Sequence, residues 1–293
     1  MSADFLQSMA AGSRERARRA KLDCSQEQML LRAYQQPVSP LPNRARRFDL
    51  IAEVKLRSPA VGHLKPATEN IGARVTGYAS AGAAAVSVLT EPERFDGELS
   101  HLASASRELR AMNVPAMRKD FLVDPYQVIE ARANGASGVL VILRMLPRAQ
   151  IEALVAQAMR LDLFVLLEAF DEREIELAHA VIETFGYKTG AWAGRPNVEV
   201  LVGVNCRDLT TLEVVPGRLE QLAHLLPTEV PRVAESGVTS AESARSVAAA
   251  GYDFALVGSA LMKAPDPHAL VREMLSAGRA ARSVPENRVA VGS

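Results

Sequence analysis

From Phe48 onward the chain alternates short apolar runs with longer segments whose apolar residues recur every three or four positions. The runs 48–54, 84–89, 114–117, 138–142, 163–167, 199–203, 231–234 and 253–257 have the length and composition of buried strands. Segments near 67–82, 98–112, 125–135, 147–160, 171–185, 216–225, 239–250 and 266–278 carry the helical period. Strands alternating with helices of about a dozen residues are βα units, and eight in succession predict an α/β fold, the (β/α)8 TIM barrel, rather than an open sheet. Ahead of it, Ala3 to Lys21 reads as an amphipathic helix with a basic second half, and Ser25 to Tyr34 as another. The stretch Gln36 to Pro42, with three prolines, is a connector. The predicted division is an N-terminal helical extension over 1–47 that covers one end of the barrel, a catalytic barrel over 48–280, and a tail over 281–293. The tail lacks any apolar period and is expected to be disordered.

Composition narrows the function classes. A single barrel domain is compatible with 293 residues, of which 48% are hydrophobic. Lys plus Arg and Asp plus Glu both total 34, so no global basic field argues for nucleic acid. The basic run Arg14-Glu15-Arg16-Ala17-Arg18-Arg19 reads as a solvated helix face. Cys24 and Cys206 make no disulfide framework, and five scattered histidines show no metal-ligand spacing. With neither a signal-like apolar core near the start nor a membrane-length stretch, the expectation is a cytoplasmic protein without membrane contact, a monomer or weak homo-oligomer.

A barrel carries its chemistry at the C-terminal ends of its strands. There the sequence places Glu53, Lys55 and Ser58; Ser87 to Glu91 with Phe95; Arg118-Lys119-Asp120-Phe121; Glu168; Asn205-Cys206-Arg207-Asp208-Leu209; Glu235-Ser236-Gly237; and Gly258-Ser259. The fourth strand, which contains Leu140, is wholly apolar and ends at Leu143-Arg144. Glu53 and Lys55 stand two residues apart and so face one space. Any one of these groups alone reads as a rim charge or a turn residue. Two glutamates, two lysines, an arginine and an asparagine around one mouth read as a catalytic set. The Ser236-Gly237 and Gly258-Ser259 turns follow the seventh and eighth strands, where barrels frequently hold a phosphate.

These residues resemble the indole-3-glycerol-phosphate synthase family of tryptophan biosynthesis. The likeness runs from about Phe48 to Met274, through Ala52-Glu53-Val54-Lys55 with Ser58-Pro59, Ser87 to Glu91, Arg118 to Phe121, Leu167-Glu168, Gly203 to Leu209, Val233 to Gly237 and Val257 to Met262. The resemblance implies a carbon–carbon lyase that closes 1-(2-carboxyphenylamino)-1-deoxyribulose 5-phosphate to indole-3-glycerol phosphate, losing carbon dioxide and water, without metal or organic cofactor. It makes Lys119 the general acid, Glu168 the general base and Glu53 a second catalytic carboxylate. It gives Lys55 and Ser58 the substrate carboxylate, and Asn205 and Arg207 the hydroxylated chain and aromatic end. Glu235 joins the substrate-binding set, Phe95, Phe121, Leu140 and Leu209 wall the ring, and Ser236, Gly237, Gly258 and Ser259 take the phosphate. To act near neutral pH, Lys119 needs partial desolvation or neighbouring cations; Lys55 favours this and Glu53 opposes it, and the sequence leaves the balance open.

The chain departs from the family pattern in four places. Ser58-Pro59-Ala60-Val61-Gly62 lacks one hydroxyl, Ala169-Phe170-Asp171 stands where a Val-His pair is common, the N-terminal extension matches faintly, and 185–199 with Tyr187, Trp192 and Pro196 reads as a surface insertion. They leave open a paralogue performing the same closure in a specialised pathway, and a non-catalytic barrel that binds a phosphate ligand.

Overall fold

The computed structural model describes residues 2–42, 47–186, 199–208 and 211–282, with side chains from Phe5 onward. Eight parallel strands close a barrel: β1 Asp49–Val54, β2 Ala85–Leu89, β3 Ala116–Lys119, β4 Gly138–Ile142, β5 Phe164–Ala169, β6 Val200–Asn205, β7 Arg232–Glu235 and β8 Phe254–Val257. Each pairs with the next, and β8 returns to β1 with Asp49 opposite Phe254. This is the predicted (β/α)8 barrel with an N-terminal helix.

Alternation along each strand sorts its side chains into two shells. Ile51, Met117, Leu140, Phe164, Leu166, Leu201, Val233 and Leu256 point inward and fill the barrel. Their neighbours Leu50, Val86, Val139, Val165, Val202 and Val257 point outward under the helices. Each fully buried side chain of this kind contributes roughly 1.5–3 kcal/mol relative to exposure. Register carries the inward phase up to the mouth at one level: Glu53 lies opposite Ser87, Glu168 opposite Gly203, and Asn205 opposite Glu235.

Several boundaries differ from the sequence reading for local reasons. β3 starts at Ala116 because Pro115 has no N–H to give the ladder, although its carbonyl accepts from Val86 N (3.0 Å). β3, β5 and β6 each run about two residues further than expected, so Lys119, Glu168 and Asn205 stand on strands, not in loops. The first barrel helix begins at Ile71, where the Asn70 side chain caps Ala73 N (2.9 Å). After β8 come two helices, Ser259–Lys263 and Pro267–Arg282, separated at Pro265. The second takes in the first two residues of the expected tail. The rest of the tail, and 187–198 of the expected insertion, lie outside the described residues.

The extension touches both barrel ends, not one. Its first helix, Ser2–Asp23, runs beside the helix Pro125–Ala133, whose Tyr126 hydroxyl donates to Ala20 O (2.9 Å) and Cys24 O (2.8 Å). The first helix brings Phe5 and Leu6 to the cavity at the C-terminal ends of the strands. At the opposite end Ser39 N donates to Ser137 Oγ (3.0 Å), just ahead of β4, and Leu41 joins the interior cluster. No helix among the described residues is long and apolar enough to cross a membrane.

Candidate active site

The inward phase of the strands ends in charge. Lys55 Nζ donates to Glu53 Oε1 (2.5 Å), as their i, i+2 spacing predicted, and both are largely buried. Lys119 Nζ donates to Glu235 Oε2 (2.9 Å) and lies 3.6 Å from Glu168 Oε2. Asn205 Nδ2 donates to the other Glu168 oxygen (2.5 Å), and Asn205 Oδ1 accepts from Arg207 N (3.0 Å), which fixes the amide's orientation. Two glycines make the cluster possible. A Cβ on Gly203 would stand 2.2 Å from Glu235 Oε1, and one on Gly258 would stand 2.0 Å from Glu53 Oε1. Gly258, expected from sequence as a phosphate residue, therefore makes its close approach to the Glu53 carboxylate.

The electrostatics follow from the charge count. Glu53, Glu168 and Glu235 face Lys55 and Lys119, one negative charge in excess if all five ionise. Burial pushes Glu235 up to about 8, against the pull of Lys119 and with the help of Glu168 and Glu53. A proton on Glu235 removes the excess. Glu235 Oε1 is buried and has no hydrogen-bond partner among the described residues. Burial alone would lower Lys119, but Glu168, Glu235 and Glu53 together outweigh it and hold the ammonium above its usual range. The balance left open by the sequence thus falls to the carboxylates: Lys119 stays charged until a stronger base appears beside it.

One side of the mouth is aromatic. Phe121 meets Phe5 edge-on and Phe95 at a tilt, both at 6.1 Å between centroids. Leu140, Ile142 and Phe170 continue the apolar lining. Arg144 lies 4.3 Å above the Phe170 ring, itself held by Glu174 (2.5 Å) and Asp171 (3.0 Å). Ser58 and Arg207 also line the space, and the Arg207 guanidinium donates to Leu212 O in its own loop. Leu209 lies outside the described residues.

Across from these, Ser236 (φ 66°) and Gly237 (φ 74°) are consecutive left-handed residues. Glycine adopts that conformation freely, whereas for Ser236 it costs on the order of 1–3 kcal/mol, a strain that is concentrated at functional sites. Ser259 Oγ lies buried in the same lining with no hydrogen-bond partner among the described residues. The structure therefore gathers Glu53, Lys55, Ser58, Phe95, Lys119, Phe121, Leu140, Glu168, Asn205, Arg207, Glu235, Ser236, Gly237, Gly258 and Ser259 around one cavity.

Sequence reasoning passed over Phe5, Leu6 and Phe170 in that cavity, and Arg16 behind it. Phe170 was visible only as a departure from a family pattern. Arg16 was hidden in a basic run, although it falls in phase with Met9 and Ser13, two of the buried positions of its helix.

The family model described as "Indole-3-glycerol phosphate synthase" matches residues 6–274. A Parafrankia protein named indole-3-glycerol phosphate synthase is 38% identical over 268 residues, covering 89% of this chain and 92% of the relative. One of the same name from Nocardioides is 40% identical, over 81% of this chain and 84% of its own length. Among solved structures, thiamine phosphate pyrophosphorylase from Pyrococcus furiosus aligns with a TM-score of 0.57 at 16% identity, covering 82% of this chain and 99% of its own. The Salmonella typhimurium 3-hexulose-6-phosphate synthase aligns with a TM-score of 0.56 at 12% identity, covering 78% and 98%. These two likenesses speak to the barrel alone.

Proposed function

The chain belongs to the indole-3-glycerol phosphate synthase family, and from that premise we propose how its own residues divide the work. The protein is a carbon–carbon lyase of tryptophan biosynthesis that converts 1-(2-carboxyphenylamino)-1-deoxyribulose 5-phosphate to indole-3-glycerol phosphate. The ring carbon bearing the carboxylate attacks the ketone, and a carbon–carbon bond forms while the ketone oxygen gains the electron pair. Lys119 donates its proton to that oxygen. An alkoxide is a stronger base than an amine, so a raised ammonium pKa does not obstruct the transfer, and before transfer the cation stabilises the developing charge. Glu235, carrying the shared proton, stands 2.9 Å away to restore it to Lys119.

Loss of carbon dioxide then returns an electron pair to the ring. The new hydroxyl departs as water with a proton delivered from the Glu53 side, while Glu168, aligned by Asn205, removes the ring proton that completes the indole. Lys55 and Ser58 hold the substrate carboxylate, Phe95, Phe121 and Leu140 flank the ring, and Arg207 steadies the chain. The Ser236-Gly237 turn with Ser259 takes the phosphate. Residence in the cytoplasm and a monomeric or weakly self-associating state belong to the same proposal.

The observation that carries the reading is the placement of Lys119 Nζ between Glu235 (2.9 Å) and Glu168 (3.6 Å) at the floor of a half-aromatic mouth. Incubating the protein with the carboxyphenylamino-deoxyribulose phosphate and following indole fluorescence tests it. Stoichiometric indole-3-glycerol phosphate is expected; substrate that persists unchanged would contradict the assignment.

A further inference from the structure

We propose that Arg16, on the N-terminal helix, is the positioning residue that sets the aromatic wall and with it the affinity for the substrate's ring. Three segments bring rings to the wall: the N-terminal helix with Phe5, the turn after β2 with Phe95, and the end of β3 with Phe121. Arg16 stands on the first of these segments and touches the anchors of the other two. Its Nη2 donates to Asp120 Oδ1 (2.6 Å), and the same oxygen accepts from Phe121 N (2.8 Å). Its Nη1 lies 3.7 Å from Glu91, whose carboxylate caps Glu93 N (2.9 Å) and Arg94 N (2.7 Å) and so holds the turn Pro92–Phe95. Phe5 lies eleven residues back on the same helix, a rise of about 16 Å.

The energetics favour a fixed geometry. Asp120 and Glu91 are each no more than 2% exposed. A buried carboxylate stays where its donors are, because leaving them costs its desolvation. Although burial would raise it, Asp120 is held below the usual carboxylate range by Arg118 and Arg16. One guanidinium, with donors in a rigid fork, thereby locks two loops and a helix into register. Among the described residues the neighbours Arg18 and Arg19 pair with exposed Glu15 of their own helix.

This inference rests on the ring-closing activity proposed above, so the wild-type protein is assayed first. No turnover by wild type would sink that activity, and the role of Arg16 with it. With wild type active, Arg16→Met is expected to raise KM about tenfold with kcat within about threefold, and Arg16→Lys to recover part of the loss. Competitive inhibition by inorganic phosphate, which has no ring, should change by less than about twofold. Phe5→Ala should raise KM similarly, and combining it with Arg16→Met should add little, since both act through one wall. Should Arg16→Met not fold, Arg16→Lys with Phe5→Ala completes the same cycle. Unchanged KM, equal losses of substrate and phosphate affinity, or additive effects would each overturn the assignment.

Discussion

β3 carries two opposite solutions to buried charge on adjacent residues. Arg118 faces outward, with Nε donating to Thr90 (3.0 Å), Nη1 to Gln127 O (3.0 Å) and Glu130 (2.8 Å), and Nη2 to Asp120 (3.0 Å). Asp120 accepts in addition from Thr90 (2.8 Å), Phe121 N (2.8 Å) and Arg16 (2.6 Å). Every group there has its partners. Lys119 faces inward to a cluster with one carboxylate too many, a carboxyl oxygen without a partner among the described residues, and open space above. Burial is similar on the two faces, so burial does not distinguish scaffold from active site. Satisfaction does: among the described residues the outer network has its polar groups paired, whereas the inner one holds a carboxyl pushed up by burial and an unfilled acceptor.

That contrast yields a graded set of expectations. Arg118→Met should be the most damaging to the fold, at about 3–5 kcal/mol, because it strands Glu130 as a buried charge and leaves Asp120 with Arg16 as its one cationic partner among the described residues; denaturant midpoints read this directly. Lys119→Met should lower kcat about a hundredfold or more while shifting the midpoint far less than Arg118→Met, since Glu235 already accommodates a proton. If both variants lost stability equally, the distinction between the faces would fail. Gly203→Ala places a methyl 2.2 Å from Glu235 Oε1, the free end of a side chain, so the fold should absorb it while the carboxyl turns away from Lys119. A fall in kcat of about tenfold at nearly wild-type stability is expected. Smallest is a pH effect. Glu235 is raised in the folded protein, so its contribution to stability is full below the ordinary carboxylate range and lost as pH rises toward about 8. Glu235→Gln should therefore gain stability relative to wild type as pH climbs through that window, measured by unfolding at several pH values. A pH-independent difference would mean that Glu235 titrates as an ordinary carboxylate.

Much of this was legible in the sequence, and the exceptions share a cause. The eight apolar runs gave the barrel because parallel strands buried on both faces need continuous hydrophobicity. Glu53, Lys119, Glu168 and Glu235 stood out because charge at such a strand end is expensive. Arg16 did not, because in a run of arginines nothing local separates the one that finds buried carboxylates from those that stay in water. Phe5 and Leu6 were likewise invisible, since helix amphipathicity reports that a face is covered but not by what. The upward shift of Glu235 required three carboxylates from β1, β5 and β7 to be counted in one place, which only the closed register provides.

The central claim is that Lys119 and Glu168 serve different bonds in one cavity: Lys119 the closure, Glu168 the later loss of water. Single-turnover measurement of carbon dioxide release alongside indole formation, in Lys119→Met and Glu168→Gln, tests it most directly. Glu168→Gln should release carbon dioxide and stall before indole appears, and Lys119→Met should release neither. Carbon dioxide release by Lys119→Met, or its loss together with indole in Glu168→Gln, would contradict that division.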